Sequence, residues 1–411
     1  MEVLERFTAE SKATFTPAKG ASLVETVREL ADGPLAELAD GIDRRGIYPA
    51  NILHRLGELG ALKAHLSTGL SGALGAGDPA SAGDYCLAIQ AMTEVSRVCG
   101  ATGFMVWCHD VCGVYMEQSG NPALMGDLLV KHGNGETLGA TGMSNPMKTF
   151  AGIETFLLHA KKVDGGWRVN GTLPWVSNLG PGHYFGAVAD VEGSARTPQE
   201  IMFMVRCDAP GVELRNCPSF SAMEGTNTWA VRLTDYVVGA QDLIADPARP
   251  FIGRIRSAFI LLQTGMGLGV AQGAIDSIWK VERQLGHVNE FLDDRPDELQ
   301  AELDELTARI MLLAKTPFGP APGGTGGQST ALFNESYNEF LIDVLDVRAH
   351  ASELALRAAQ SALLHQGARG YLMTSDVQRR VRESHFVAIV TPAIKHLRKE
   401  IARLSALEQP A

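Results

Sequence analysis

The sequence predicts an α+β protein in three consecutive parts: an all-helical N-terminal domain (residues 1–137), a middle antiparallel β domain (138–247) and a C-terminal four-helix bundle (248–411). Three observations carry this. Apolar residues recur at helical spacing in the first third, as at Leu23, Val27 and Leu30 and again at Ile52, Leu53, Leu56 and Leu59. Between Gly139 and about Asp246, short β-rich runs are separated by Gly, Pro and Asp turns with no helix between them. Beyond Phe251 long helical periodicity returns.

Taken in order, residues 1–20 lack periodicity and read as a loose arm. Ala21–Arg45 is an amphipathic helix with an interruption expected at Gly33-Pro34, and Ala50–Leu62 is a second. Leu70–Ala82, rich in Gly, Ala and Ser, is a loop. Tyr85–Gln118 is apolar around most of its circumference, which predicts two buried helices broken near Gly100 or Gly103. Asn121-Pro122 restarts a helix that ends at Gly133. The β runs are 156–163, 167–170, 185–191, 201–206, 212–214 and 229–238, as in a sandwich or barrel. Ile255–Leu285, Leu299–Leu313, Ala331–Leu364 and Ser375–Leu407 supply the bundle, with Pro317–Ser329 as a loop and Gly367–Gly370 as the last turn.

With 411 residues the chain can bury a sizeable core, and 45% hydrophobic with 20% charged residues is ordinary for a soluble protein. A net charge of −11 and the lack of any Lys/Arg run argue against a nucleic-acid surface. The Gly-rich stretch Ala258–Ala274 is too short for a membrane span, and no signal peptide is expected where Glu2, Glu5 and Arg6 interrupt the apolar residues. The six Cys contain no Cys-x-x-Cys pair and read as reduced core thiols of a cytoplasmic protein. No metal-ligand spacing and no phosphate-binding Gly-rich motif appears.

The stretch Gly139–Asp190 carries the chemistry. A turn at Asp164-Gly165-Gly166 predicts a hairpin that would hang Ser144 and Ser177 beside Trp175. An indole to pack on a flat heteroaromatic ring and hydroxyls to bond its edge suit such a cofactor, although Ser before Asn-Pro also makes turns and a strand Trp also fills cores.

Five local motifs in this order resemble the acyl-CoA dehydrogenase superfamily of flavoproteins. They are Met143-Ser144-Asn145-Pro146, Trp175-Val176-Ser177-Asn178, Met223-Glu224-Gly225-Thr226-Asn227-Thr228 with Asp235-Tyr236-Val237-Val238, Gly267-Leu268-Gly269-Val270-Ala271-Gln272, and Gly367-Ala368-Arg369-Gly370-Tyr371 with Val377, Arg382 and Glu383. The resemblance covers nearly the whole chain and implies FAD, with FMN as the alternative. It implies that Ser144 bonds the pyrimidine side of the flavin ring, that Trp175 lies against it, and that Ser177 reaches its N5/O4 edge, with main-chain groups at Met143 and Val176. It further implies a dimer or tetramer, in which the dinucleotide tail meets Gln366, Gly367 and Gly370 of a neighbouring subunit. An electron-transfer or flavin reductase partner and an acyl-CoA or other small-molecule substrate are also implied.

The departures from the family pattern concern catalysis. The usual Glu that removes the α-proton is replaced by Thr391, and its second known location by Phe259. A threonine hydroxyl is no general base near neutral pH. Glu224 and Glu383 fall outside the acyl pocket as surface or structural charges. His385, three residues after Arg382, occupies a helix that in the flavin monooxygenase branch carries an oxygen-assisting His; a hydrogen-bonded structural His is the plain alternative. The chain is thus expected to be a flavin-dependent oxidoreductase lacking the usual Glu. A monooxygenase, a thioester-acting elimination enzyme and a degenerate flavin- or acyl-CoA-binding protein are the alternatives.

Overall fold

A computed structural model describes residues 20–67, 83–193, 199–320 and 327–407. The N-terminal arm, the 70–82 loop and residues 321–326 of the expected 317–329 loop lie outside the described residues, and positions 327–329 of that loop are already helical. The first helix is Leu23–Leu30 (α1), opened by the Ser22–Glu25 capping box. The interruption expected at Gly33-Pro34 is a π-helical turn, Ala31–Leu35, after which Ala36–Arg45 (α2) continues. Ala50–Glu58 (α3) follows, then the buried pair Tyr85–Val98 (α4) and Gly100–Ser119 (α5), broken where Cys99 turns extended. Asn121 caps the short Pro122–Met125 (α6), and Asp127–Gly133 (α7) ends this part.

The middle part is one mixed sheet. Its strands are Gly139–Thr141 (β1), Leu158–Val163 (β2), Gly166–Val176 (β3), Tyr184–Val191 (β4), Glu200–Arg206 (β5), Val212–Asn216 (β6), Trp229–Val238 (β7) and Leu243–Ala245 (β8). The order is β6-β7-β3-β2-β4-β5-β8, with β1 on β4. Most pairings are antiparallel, as expected, but β1·β4 and β2·β4 are parallel. The parallel pairs arise because β4 follows a long excursion through Asn178–His183 rather than a tight turn. Gly171 lies at an irregularity of β3, with φ +140, and a Cβ there would meet Leu157 O at 2.0 Å.

Both faces of β4 and β5 are buried. Phe185, Ala187, Ile201 and Phe203 fill the interior of the sheet, whereas Tyr184, Val188, Met202 and Met204 join the helical core. This welds the sheet to α5 and fixes the loops between them.

Ala248–Asn289 (α9) runs through the centre of the C-terminal part; Ser144–Phe150 (α8) precedes β2. By length and composition α9 could cross a membrane, but 94% of its most apolar window is buried inside the protein. Its glycines serve close packing: a Cβ at Gly269 would meet Thr93 O at 2.4 Å, and one at Gly267 would meet Ala351 Cβ at 2.9 Å. Pro296–Ala314 (α10) and Gly327–Gln366 (α11) follow. The expected last helix is two, Asp376–Ile389 (α12) and Ile394–Leu407 (α13), because Pro392 can supply no amide hydrogen to a continuous helix.

Candidate active site

A cavity of about 510 Å³ opens where α5, the start of α8, the end of β3, the 220–228 loop, α9 and the α12–α13 break converge. That is a usual size for a small-molecule site. It brings together Met143, Ser144, Trp175, Ser177, His385 and Thr391 from the sequence reading, together with Phe259. Val176 does not line it; that side chain is buried in the sheet core and its backbone pairs with Trp229. Gln366, Gly367 and Gly370 are elsewhere, at the far end of α11, where Gln366 Nε2 donates to Ser277 O.

Ser144 sits at the start of α8 rather than on the hairpin, because its neighbour Asn145 ties this turn down. Asn145 Nδ2 donates to Thr155 O at 2.8 Å, and its Oδ1 accepts from Leu157 N. Ser144 Oγ lies 3.1 Å from Thr391 Oγ1. Opposite, Trp175 is 57% exposed, with Phe220 edge-on at 6.4 Å. Asn178, in the left-handed region at φ 63, anchors this strand end: its Oδ1 accepts from Tyr48 OH at 2.8 Å and its Nδ2 donates to Gly139 O. A hydroxyl chain runs from Ser177 Oγ to Thr228 Oγ1 (2.6 Å) and on to Thr226 Oγ1 (2.8 Å), ending on Met223 O.

The floor is aromatic. Phe104 stacks on Trp107 at 5.7 Å, meets Phe386 at 4.7 Å, and Trp107 meets Phe259 at 5.0 Å. Trp107 Nε1 donates to Phe259 O, so this ring is held without a polar orphan.

Among the described residues no Asp or Glu lines the cavity. Its basic lining groups are Lys148, paired with Glu154 at 2.8 Å, Arg382, in a two-pronged pair with Asp43, and His385, exposed at the mouth. Glu383 faces away and is buried, accepting from Gly100 N at 3.0 Å beside Arg379; desolvation pushes its carboxyl up. It therefore closes the α4–α5 break and is not a surface charge. Glu224 likewise serves its own loop, accepting from Phe220 N. Burial pushes the Cys108 thiol well up, so that lining sulfur is no nucleophile.

Sequence reading passed over Thr226 and Thr228, whose only signal was their place in the 223–228 motif. It also assigned nothing to Arg348, a fully buried side chain that no motif marks.

A profile of the acyl-CoA dehydrogenase N-terminal domain family matches residues 19–136. The chain is 24% identical over 396 residues to the probable acyl-CoA dehydrogenase YngJ of Bacillus subtilis, across 92% of this chain and 96% of that protein. The solved dibenzothiophene monooxygenase of Paenibacillus sp. A11-2 shares the fold with a TM-score of 0.75 at 14% identity, over 95% of this chain and 98% of that one. A glutaryl-CoA dehydrogenase from Mycobacterium smegmatis, solved in complex with FADH2, gives 0.70 at 16% identity, over 95% and 94%. Helices, mixed sheet and helices in this order define an acyl-CoA dehydrogenase fold. Residues 19–136 match the acyl-CoA dehydrogenase N-terminal domain family and the whole chain shares the fold, which holds both dehydrogenases and a monooxygenase, so the reaction has to be argued from the pocket.

Proposed function

We propose that the chain is a flavin-dependent oxidoreductase acting on a small molecule, and that it works without a carboxylate base. The observation that carries the reading is the pocket wall: an open indole and a hydroxyl chain on one side, and no Asp or Glu among its lining residues.

The residues fit a flat heteroaromatic ring. Trp175 leaves more than half its surface open at the end of a strand whose next residue is buried, so the indole is available for stacking. The Ser177–Thr228–Thr226 chain and Ser144 can donate to or accept from the ring's polar edge. A second cleft of about 460 Å³, with Glu154 in its wall, shares Ser144, Lys148 and Trp175 with the first; the ring would lie along that shared edge and the substrate in the first cavity, against the aromatic floor and Thr391. FAD is the cofactor proposed, with FMN as the alternative; bound there, it would supply two-electron chemistry at its ring edge.

The chain's own residues would orient and dry the site. The Phe104–Trp107–Phe259–Phe386 floor excludes water. Thr391, held by Ser144, can hydrogen-bond a substrate oxygen but cannot remove a carbon-bound proton. His385 leaves one imidazole at the mouth for proton transfer. That imidazole, in a pocket with no carboxylate, favours a monooxygenase using reduced flavin and O₂ as the second reading.

We also propose a homo-oligomer in the cytoplasm, supplied with electrons by a reductase or electron-transfer partner. Trp279 and Val288 of α9, Phe291 just beyond its end, and Tyr371, Leu372 and Met373 after the Gly367 turn are large exposed hydrophobics. They lie on neighbouring segments joined by the Asn289–His365 and Gln366–Ser277 bonds. Such a surface suits a second copy.

Purification tests the cofactor reading. A yellow protein releasing about one FAD or FMN per chain on denaturation is expected. A colourless protein that takes up neither flavin would overturn it.

A further inference from the structure

We infer that the pocket selects a planar aromatic anion, such as an aryl carboxylate or phenolate, and that the buried guanidinium of Arg348 sets this preference through the Thr391 turn. The ligand would occupy the pocket assigned above to the substrate, so its place rests on that reading.

The charges around the pocket do not balance. Lys148 and Arg382 are each matched by a carboxylate, Glu154 and Asp43. Arg348 is not. It is 0% exposed and donates to Gln263 Oε1 at 2.7 Å, to Val387 O at 2.8 Å and to Ser352 Oγ, all of them neutral acceptors. Burial pushes it down to about 9, with no neighbouring charge to oppose the shift, and it remains cationic at neutral pH. A buried cation without a counter-ion is costly, so its position calls for a reason.

That position is directly behind the break between α12 and α13. Arg348 binds the carbonyl end of α12 at Val387, where a cation also suits the helix dipole. Its partner Gln263 turns the amide N–H to Thr391 O at 3.2 Å, and Thr391 lines the pocket. The cation is thus joined to the pocket wall through one side chain, and no acid on that wall cancels its field. An anion inside would be stabilised, and an ammonium group would meet ring faces and neutral hydroxyls but no carboxylate. The aromatic part follows from the floor, where ring centroids lie 4.7 to 5.7 Å apart and present flat apolar faces and edges.

Three probes with one ring system separate charge from shape: 2-naphthoate, 2-naphthalenemethanol and 2-naphthylmethylammonium. Calorimetric titration into the protein as purified should show naphthoate binding on the order of tenfold tighter than the alcohol, the scale of one partly screened unit charge behind the pocket wall. The ammonium should bind more weakly than the alcohol. Arg348→Met should lose the naphthoate advantage and keep the alcohol, whereas Arg348→Lys should retain it. Equal affinity for all three probes, preference for the ammonium, or an Arg348→Met protein that still prefers naphthoate would overturn the inference. If Arg348→Met does not fold, the probe series on the native protein and on Arg348→Lys decides by the same criteria. Flavin content measured on the same sample keeps the two readings apart. A colourless protein that prefers naphthoate refutes only the flavin assignment; a yellow one that shows no preference refutes only this one.

Discussion

Replacing Trp175 with Ala should release the flavin and spare the fold. The native side chain is 57% exposed, and its ring contact is edge-on to Phe220. Truncation therefore removes little buried area, and the stability cost should stay within about 1 kcal/mol. The open part of a tryptophan amounts to about 90–140 Å², of which a stacked ring would cover roughly half, contributing about 1–2 kcal/mol at about 25 cal/mol per Å². Geometry-specific stacking adds about 0.5–1.5 kcal/mol, so the total of about 2–3 kcal/mol corresponds to a loss of roughly 30- to 150-fold in flavin affinity. Equilibrium dialysis against FAD, with urea unfolding of the apoprotein in parallel, measures both quantities. Unchanged flavin affinity with a destabilised fold would mean that the indole serves packing alone, and the ring slot beside Ser177 would be wrongly assigned.

Other outcomes follow from the same geometry. Thr391→Glu places a carboxylate beside Ser144 and the aromatic floor; if the pocket accepts thioesters, acyl-CoA-dependent flavin reduction should rise by about 10²–10⁴-fold in anaerobic stopped flow. Tyr48→Phe removes the buried bond to Asn178 and leaves Oδ1 without its donor; a loss of about 1–3 kcal/mol in urea unfolding is expected, and no loss would show that this anchor is dispensable. Burial holds His65 down to about 4 and His109 down to about 3, and pushes His132 well down; His109 and His132 stack 3.6 Å apart, each ring bonded to the other's carbonyl. These three stay neutral in the fold while the unfolded chain takes up protons below about pH 6.5, so their stabilisation is complete above that pH and declines towards pH 4, by about 2 kcal/mol each at pH 5. Asp110, kept protonated by burial, works in the opposite direction and offsets one of the three protons. Imidazole NMR should show no titration of the three between pH 8 and 5; a midpoint near 6.5 for any of them would refute its burial.

Much of this was readable from local signals. Gly33-Pro34 marked the π-helical turn, Asp164-Gly165 the hairpin and Gly100 the α4–α5 break, because backbone chemistry alone dictates such places. Trp175 and Ser177 could be named because they stand in ordered motifs, and Thr391 because it lies a fixed count beyond Arg382 of the last one. What escaped is what only tertiary packing creates. The parallel pairing of β4 depends on the path of a loop, and the Ser144 turn depends on Asn145 reaching Thr155. Phe104, Trp107 and Phe386 read as ordinary apolar helix positions until α5 and α12 come together as the pocket floor. Arg348 sits on a helix 43 positions before Thr391 and has no periodic signature; its meaning comes from Gln263, contributed by α9.

The central claim is that the pocket handles electrons without a carboxylate base. Anaerobic mixing of the flavin-loaded protein with butyryl-CoA tests it most directly. The visible flavin band should persist over minutes, since neither Thr391 nor Phe259 can take the α-proton. Rapid bleaching would contradict the claim and would mean that a carboxylate outside the present lining enters the pocket to act as the base.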